Sequence, residues 1–99
     1  MNHQTKKMIL DAFIKTVDSA PTRRNSFYQQ GVTKESFEIW MNYVYSVFHI
    51  TSDYIDANSI YGAYNTIQNI AMQSNMDYAS KTNAICQQIL SFARSILNL

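Results

Sequence analysis

The segment KESFEIWMNYVYSVFHIT, residues 34–51, decides the fold of this chain of 99 residues. On a helix its large apolar side chains occupy one broad face and leave a narrow polar stripe. The broad face consists of Phe37, Trp40, Met41, Val44, Val47 and Phe48, with Ile39, Tyr43 and Ile50 beyond it, and the polar stripe consists of Glu38, Asn42, Ser46 and His49. Thr33 precedes the segment as an N-cap, and Glu35 falls in the first turn. The segment therefore predicts a central helix over residues 34–51.

The segment before it also predicts a helix. Over residues 4–19, one side of a helix would carry Ile9, Leu10, Phe13, Ile14 and Val17. Pro21 ends this helix, because a proline lacks the backbone donor and disfavours helical geometry in the residue before it. Residues 21–30 suggest a short second helix, with Gly31 as a C-terminal cap.

Two more helices follow the central one. Asn58 or Ser59 is expected to cap the first of them, which carries Ile60, Tyr64, Ile67 and Ala71. The last helix is expected over residues 76–98, where the seam typical of a bundle is formed by Tyr78, Thr82, Ile85, Ile89, Phe92, Ile96 and Leu99. Two glycines and one proline are too few for the turns of a β-sandwich or barrel. The sequence predicts an all-α fold: one domain over residues 1–99, built as a small bundle of four main helices with a short extra helix near residues 21–30.

Composition and cysteine content limit the class of protein. Charged residues make up 15% of the chain, where roughly 25% is usual. A polar but sparsely charged surface favours docking against another molecule. The alternative explanation is a coding bias towards Asn, Ile, Lys and Tyr, as in AT-rich genomes. Cys86 is the one cysteine, so a disulfide framework is excluded and a reducing, cytoplasmic location is expected. The most apolar segment, residues 37–50, is interrupted by polar side chains and predicts no membrane span.

Residues suited to catalysis or metal binding are few. Asp53 lies one helical turn after His49 and could adjust the acid–base behaviour of His49. A solvent-facing contact between the two side chains is the simpler interpretation. Asp53 and Asp56 share a helical face without a third ligand, and Cys86 is expected to be a buried packing thiol. The sequence therefore predicts no enzymatic activity, no catalytic residues, no metal site and no cofactor.

A tyrosine-rich region predicts a binding surface for a protein partner. Five tyrosines fall within residues 43–64, and one small core cannot hide all of their rings. Tyrosine is enriched in interfaces because it combines a large contact area with a polar group. The expected contact residues are Tyr43, Tyr45, Tyr54 and Tyr61 as anchors, with Arg23 and Arg24 as steering charges. The chain would then act as a regulator or inhibitor, and the seam of its last helix suggests a homodimer.

DNA binding is the main alternative. Residues 1–34 hold six basic and two acidic residues, a net charge of +4, whereas residues 35–99 have a net charge of −3. Residues 26–40 have the outline of a helix-turn-helix, with Gly31 at the turn. The nucleic-acid contacts would be Arg23, Arg24, Thr33, Lys34 and Ser36. Phe27, however, stands where such motifs usually have alanine.

A third hypothesis is based on a likeness of architecture. In its size and expected helix bundle, the chain is similar to bacteriocin immunity proteins, which implies an inhibitor that binds one protein partner. The abundance of Asn, Ile, Lys and Tyr is typical of AT-rich genomes and favours a bacterial or phage source.

Overall fold

The computed structural model describes residues 2–24 and 31–97. Within these residues the helices are α1 (His3–Asp18), α2 (Pro21–Arg24), α3 (Lys34–Thr51), α4 (Ala57–Ala71) and α5 (Tyr78–Leu97), and a 3₁₀ turn (Ser52–Tyr54) connects α3 to α4. The described residues contain no strand, so the predicted all-α bundle of four main helices is confirmed. The short extra helix is α2, and residues 25–30 of the segment predicted for it lie outside the described residues.

Short polar side chains begin each of the four long helices. The side chain of Asn2 accepts a hydrogen bond from the backbone of Thr5 at 2.7 Å, and the carboxylate of Asp77 accepts one from the backbone of Ser80 at 2.7 Å. Hydrogen bonds from the backbone and then the side chain of Ser80 lower the pKa of Asp77 below its ordinary value. Such caps satisfy backbone donors that have no partner within the helix.

The predicted start of α4 was wrong. Asp56 caps this helix by accepting a hydrogen bond from the backbone of Ser59 at 3.1 Å, so the helix begins before Asn58 and Ser59. An aspartate caps as well as an asparagine or serine, and Ile55 just before it is buried. The chain is therefore anchored at Ile55 and turns into the helix at the next residue.

An aromatic cluster joins three helices at the centre of the core. Phe13 of α1 contacts Phe48 of α3 and Phe92 of α5, with ring centroids 5.5 and 5.8 Å apart, and Phe48 and Phe92 are 5.6 Å apart. Tilted and edge-on rings at these distances are favourable beyond the area that they bury. A second link fixes α1 to α3, because the indole N–H of Trp40 donates to the carbonyl oxygen of Thr16 at 2.9 Å.

The seam predicted for α5 is buried at its centre and partly exposed at Tyr78, Phe92 and Ile96. Thr82, Ile85 and Ile89 are fully buried, and α5 packs against α1 and α4. Leu99 lies outside the described residues. The exposed side of α5 is polar and includes Ser80, Asn83, Gln87, Gln88, Ser91, Arg94 and Ser95. A homodimer through the last helix stays a prediction, but the centre of the seam that suggested it is already covered by the chain's own helices.

One residue of α1 departs from its predicted place. Ile14 was placed on the core side, yet it is 40% exposed, whereas Phe13 beside it has no exposed surface. The buried arc of α1 is centred between Ile9 and Phe13, and Ile14 lies about 100° further round the helix from Phe13. The two neighbours therefore give a matched pair for testing the core.

Replacing the ring at the centre of the core should be costly. We expect Phe13→Ala to lower the free energy of unfolding by about 3–5 kcal/mol, because it removes contacts to two rings and leaves a cavity. Ile14→Ala should cost less than about 1 kcal/mol, since that side chain is partly in water. Urea unfolding followed by circular dichroism measures both. Similar losses for the two variants would contradict the packing described for α1.

Candidate functional site

The four tyrosines predicted as anchors do not share one face. Tyr43, Tyr54 and Tyr61 are exposed, at 43%, 52% and 67% of their surface, so the prediction that rings must reach the surface holds. Tyr45 is only partly buried, and its ring packs on Tyr64 of α4 with centroids 5.2 Å apart. Because successive helical residues turn by about 100°, Tyr43 and Tyr45 lie about 160° apart around α3. Tyr43 therefore belongs to a different surface from Tyr45.

Two exposed isoleucines lie on the same side of α3 as Tyr43. Ile39, Tyr43 and Ile50 follow each other on α3 at intervals of four and seven residues, which places them within an arc of about 40°. Ile39 and Ile50 are each 65% exposed. We call these three residues the outer stripe. From Ile39 to Ile50 the stripe runs for about 16 Å along the helix.

The helix that carries the outer stripe is held firmly at its beginning. The hydroxyl of Thr33 accepts a hydrogen bond from the backbone of Ser36 at 3.0 Å, and the hydroxyl of Ser36 accepts one from the backbone of Thr33 at 3.1 Å. This reciprocal capping box satisfies two backbone donors. Together with the bond from Trp40 to α1, it fixes the direction and the rotation of α3.

The same bonds bear on the predicted nucleic-acid contacts. The hydroxyls of Thr33 and Ser36 already serve the backbone at the start of α3, and Lys34 is paired with Glu38 at 3.9 Å on the exposed surface. Arg23 and Arg24 end α2, and their side chains lie outside the described part of the chain. DNA binding stays an untested prediction, and two of its five residues have a structural role instead.

A cleft opens between α3, the end of α4 and the start of α5. It has a volume of about 390 Å³, and its walls include Phe37, Met41, Tyr45 and Tyr78. Lys81 of α5 also lines it, although this residue is only 7% exposed. The Lys81 ammonium donates to the carbonyl oxygen of Ala71, the last residue of α4, at 2.9 Å.

Lys81 was not singled out from the sequence. Its ammonium lies 5.1 Å from the centroid of the Tyr78 ring and 6.0 Å from that of Phe37, distances at which a cation is attracted to an aromatic face. The spacing contained a signal, because Lys81, Ile85 and Ile89 follow at intervals of four on the buried side of α5. Ile39 and Ile50 were likewise noted only as neighbours of the core face.

The residues considered for chemistry are scattered. His49 and Asp53 are both exposed, and Cys86 is buried as predicted. In residues 2–24 and 31–97, no three His, Cys, Asp or Glu side chains are grouped so that they could hold a metal ion. Within the same ranges, no helix has both the length and the apolar character needed to cross a bilayer.

Comparisons of this chain with protein-family models, curated proteins and solved structures gave no match.

Loss of the capping box should destabilise the fold. We expect Thr33→Ala to lower the free energy of unfolding by about 1 kcal/mol, because the backbone N–H of Ser36 loses its acceptor. Thermal unfolding measures the change, and Thr66→Ala, an exposed threonine inside α4, is the control. If Thr33→Ala left stability unchanged, the hydroxyl would be free for another role such as DNA contact.

The packing of Tyr45 predicts a pH dependence at the alkaline end. Burial, followed by the influence of Tyr64, raises the pKa of Tyr45 above its ordinary value of 10.0. The folded chain then holds this proton more tightly than the unfolded chain, so stability falls as the pH rises through that range. Below the unfolded pKa both states are protonated, and the effect vanishes.

Tyr45→Phe keeps the ring but removes the ionisable group. We expect this variant to lose less stability than the wild type between about pH 9 and about pH 11, in urea unfolding at several pH values. Tyr61→Phe, at an exposed ring, should follow the wild type. Equal pH profiles for all three proteins would show that Tyr45 ionises alike in both states.

Proposed function

We propose that this protein is a small, non-catalytic regulator or inhibitor that binds a helix of a protein partner along the outer stripe. The observation that carries the proposal is the exposure of Ile39 and Ile50, each 65%, on the same side of α3 as Tyr43. Single exposed apolar residues are ordinary, but an aligned row on a rigid helix favours recognition.

The spacing of the stripe favours a helix as the partner element. Side chains separated by four and seven residues form a ridge that fits the groove of another helix. Tyr43, at the middle of the stripe, supplies a large ring with few rotatable bonds, which is the kind of residue that anchors interfaces. Ser46 lies between Tyr43 and Ile50 and allows close approach there.

The rigidity of α3 supports affinity. Because the capping box and the core face already fix the helix, binding would order little backbone, and the entropic cost of association stays low. Tyr54 and Tyr61 are exposed on other elements and could extend the contact only beyond the stripe. The proposal retains Tyr43 as an anchor and adds Ile39 and Ile50. A cytoplasmic location belongs to the proposal, because a lone cysteine is typical of that compartment.

The test places two charges on the stripe. We expect Ile39→Lys with Ile50→Lys to preserve helicity, since lysine is a good helix former, and to reduce capture of the partner by about tenfold or more. The matched control is Gln87→Lys with Gln88→Lys on the polar side of α5, which adds the same charge to the same protein. Capture is measured in source cells by quantitative mass spectrometry after photocrosslinking from the exposed position 42, beside the stripe.

Three results would contradict the proposal. One is a partner captured equally well by the stripe variant and by its control. Another is sedimentation showing that the purified chain dimerises and that the stripe variant is monomeric, which would make a second copy the occupant. The third is a salt-sensitive gel shift with duplex DNA, which the stripe variant retains and Lys34→Ala loses.

A further inference from the structure

The cleft differs chemically from the outer stripe, although α3 contributes to both. Its volume of about 390 Å³ is within the range of sites for small molecules. Its lining is mixed: Phe37 and Met41 are almost fully buried, Tyr45 and Tyr78 are partly exposed, and Glu38, Asn42 and Lys81 are polar. Tyr45 lies on the opposite flank of α3 from Tyr43, so a molecule in the cleft would not touch the stripe.

A buried cation lies at the cleft without an anionic partner. Lys81 is 7% exposed, and no carboxylate of the described residues is paired with it. Its ammonium has three hydrogens, and the structure gives it one hydrogen-bond acceptor, the carbonyl oxygen of Ala71. Buried charges are normally paired, because leaving water is unfavourable for an ion. The ammonium lines the cleft, so an acceptor that enters the cleft can reach it.

Part of this arrangement has a structural explanation. A lysine at the end of α4 is favourable because the last carbonyl groups of a helix carry partial negative charge. The faces of Tyr78 and Phe37 stabilise the ammonium further. These contacts explain how the charge is tolerated, but neither a carbonyl nor a ring neutralises it.

One acidic side chain, Glu38, lines the cleft, and it is paired with Lys34 and not with Lys81. Glu38 is exposed and lies 3.9 Å from the ammonium of Lys34, one helical turn before it. Its charge remains at the rim, where it would repel an entering anion. The ligand that fits must therefore carry little negative charge and gain further contact from the partly exposed rings of Tyr45 and Tyr78.

We propose that this cleft binds a small monocarboxylate with an aromatic or aliphatic body, whose carboxylate accepts hydrogen bonds from Lys81. A single negative charge matches the single cation. A phosphate, with more charge, would need further donors and would be repelled more strongly by Glu38. The body of the ligand would contact the rings of Tyr45 and Tyr78.

Titration with phenylacetate, followed by ¹H–¹⁵N NMR of the whole chain, tests this inference. We expect saturable shifts at cleft residues at concentrations up to about 10 mM, and much weaker shifts with the neutral phenylacetamide. Lys81→Met keeps an unbranched side chain but removes the charge, and it should weaken phenylacetate binding by about tenfold or more. Arg94→Met, an exposed position on the same helix, is the matched control.

A second variant keeps the test decisive if Lys81→Met does not fold. Glu38→Gln removes the repulsion at the rim and should strengthen binding about two- to fivefold. The stripe variant, with lysine at positions 39 and 50, should bind phenylacetate as the wild type does. This separates failure of the cleft from failure of the outer stripe.

Four outcomes would overturn the inference. They are equal binding of the acid and the amide, undiminished binding by a folded Lys81→Met variant, no gain from Glu38→Gln, and no shifts at the cleft over the whole titration.

Discussion

The fold depends on the contact between Phe13, Phe48 and Phe92, since each ring comes from a different long helix. Three mutually touching rings leave α1, α3 and α5 little freedom to rotate about their own axes. Because Phe48 packs at the centre of the core, the helical repeat sets the direction of every other side chain of α3. The exposure of the outer stripe is thus a consequence of the core.

α3 contributes three surfaces to the molecule. Its core face meets α1 and α5, one flank forms the wall of the cleft, and the other flank carries the outer stripe. An ordinary surface helix has one apolar face and leaves the remainder polar. In α3 apolar residues extend past the buried arc on the side of Tyr43. The cleft and the stripe are consequently fixed relative to each other by a single rigid element.

Much of the fold could be predicted from local patterns, and the surfaces could not. The bounds of α3 follow from Thr33 and the apolar spacing, whereas the start of α4 was misplaced because three nearby residues could all cap it. Tyr43 and Tyr45 were grouped because they are close in sequence, yet the helical turn separates them. The environment of Lys81 could not be predicted from the sequence, because its partners come together only in the tertiary structure. These partners are Ala71 and the rings of Phe37 and Tyr78.

The position of Lys81 has a cost that its neighbours offset only in part. Charged residues make up 15% of the chain, and every other charged side chain that the structure describes is at least partly exposed. A methionine or leucine at this place could fill the same volume without losing hydration energy, and such replacements of buried ions are often neutral or stabilising. Packing alone therefore does not require a cation at this position, and the proposed carboxylate ligand would give the charge a partner.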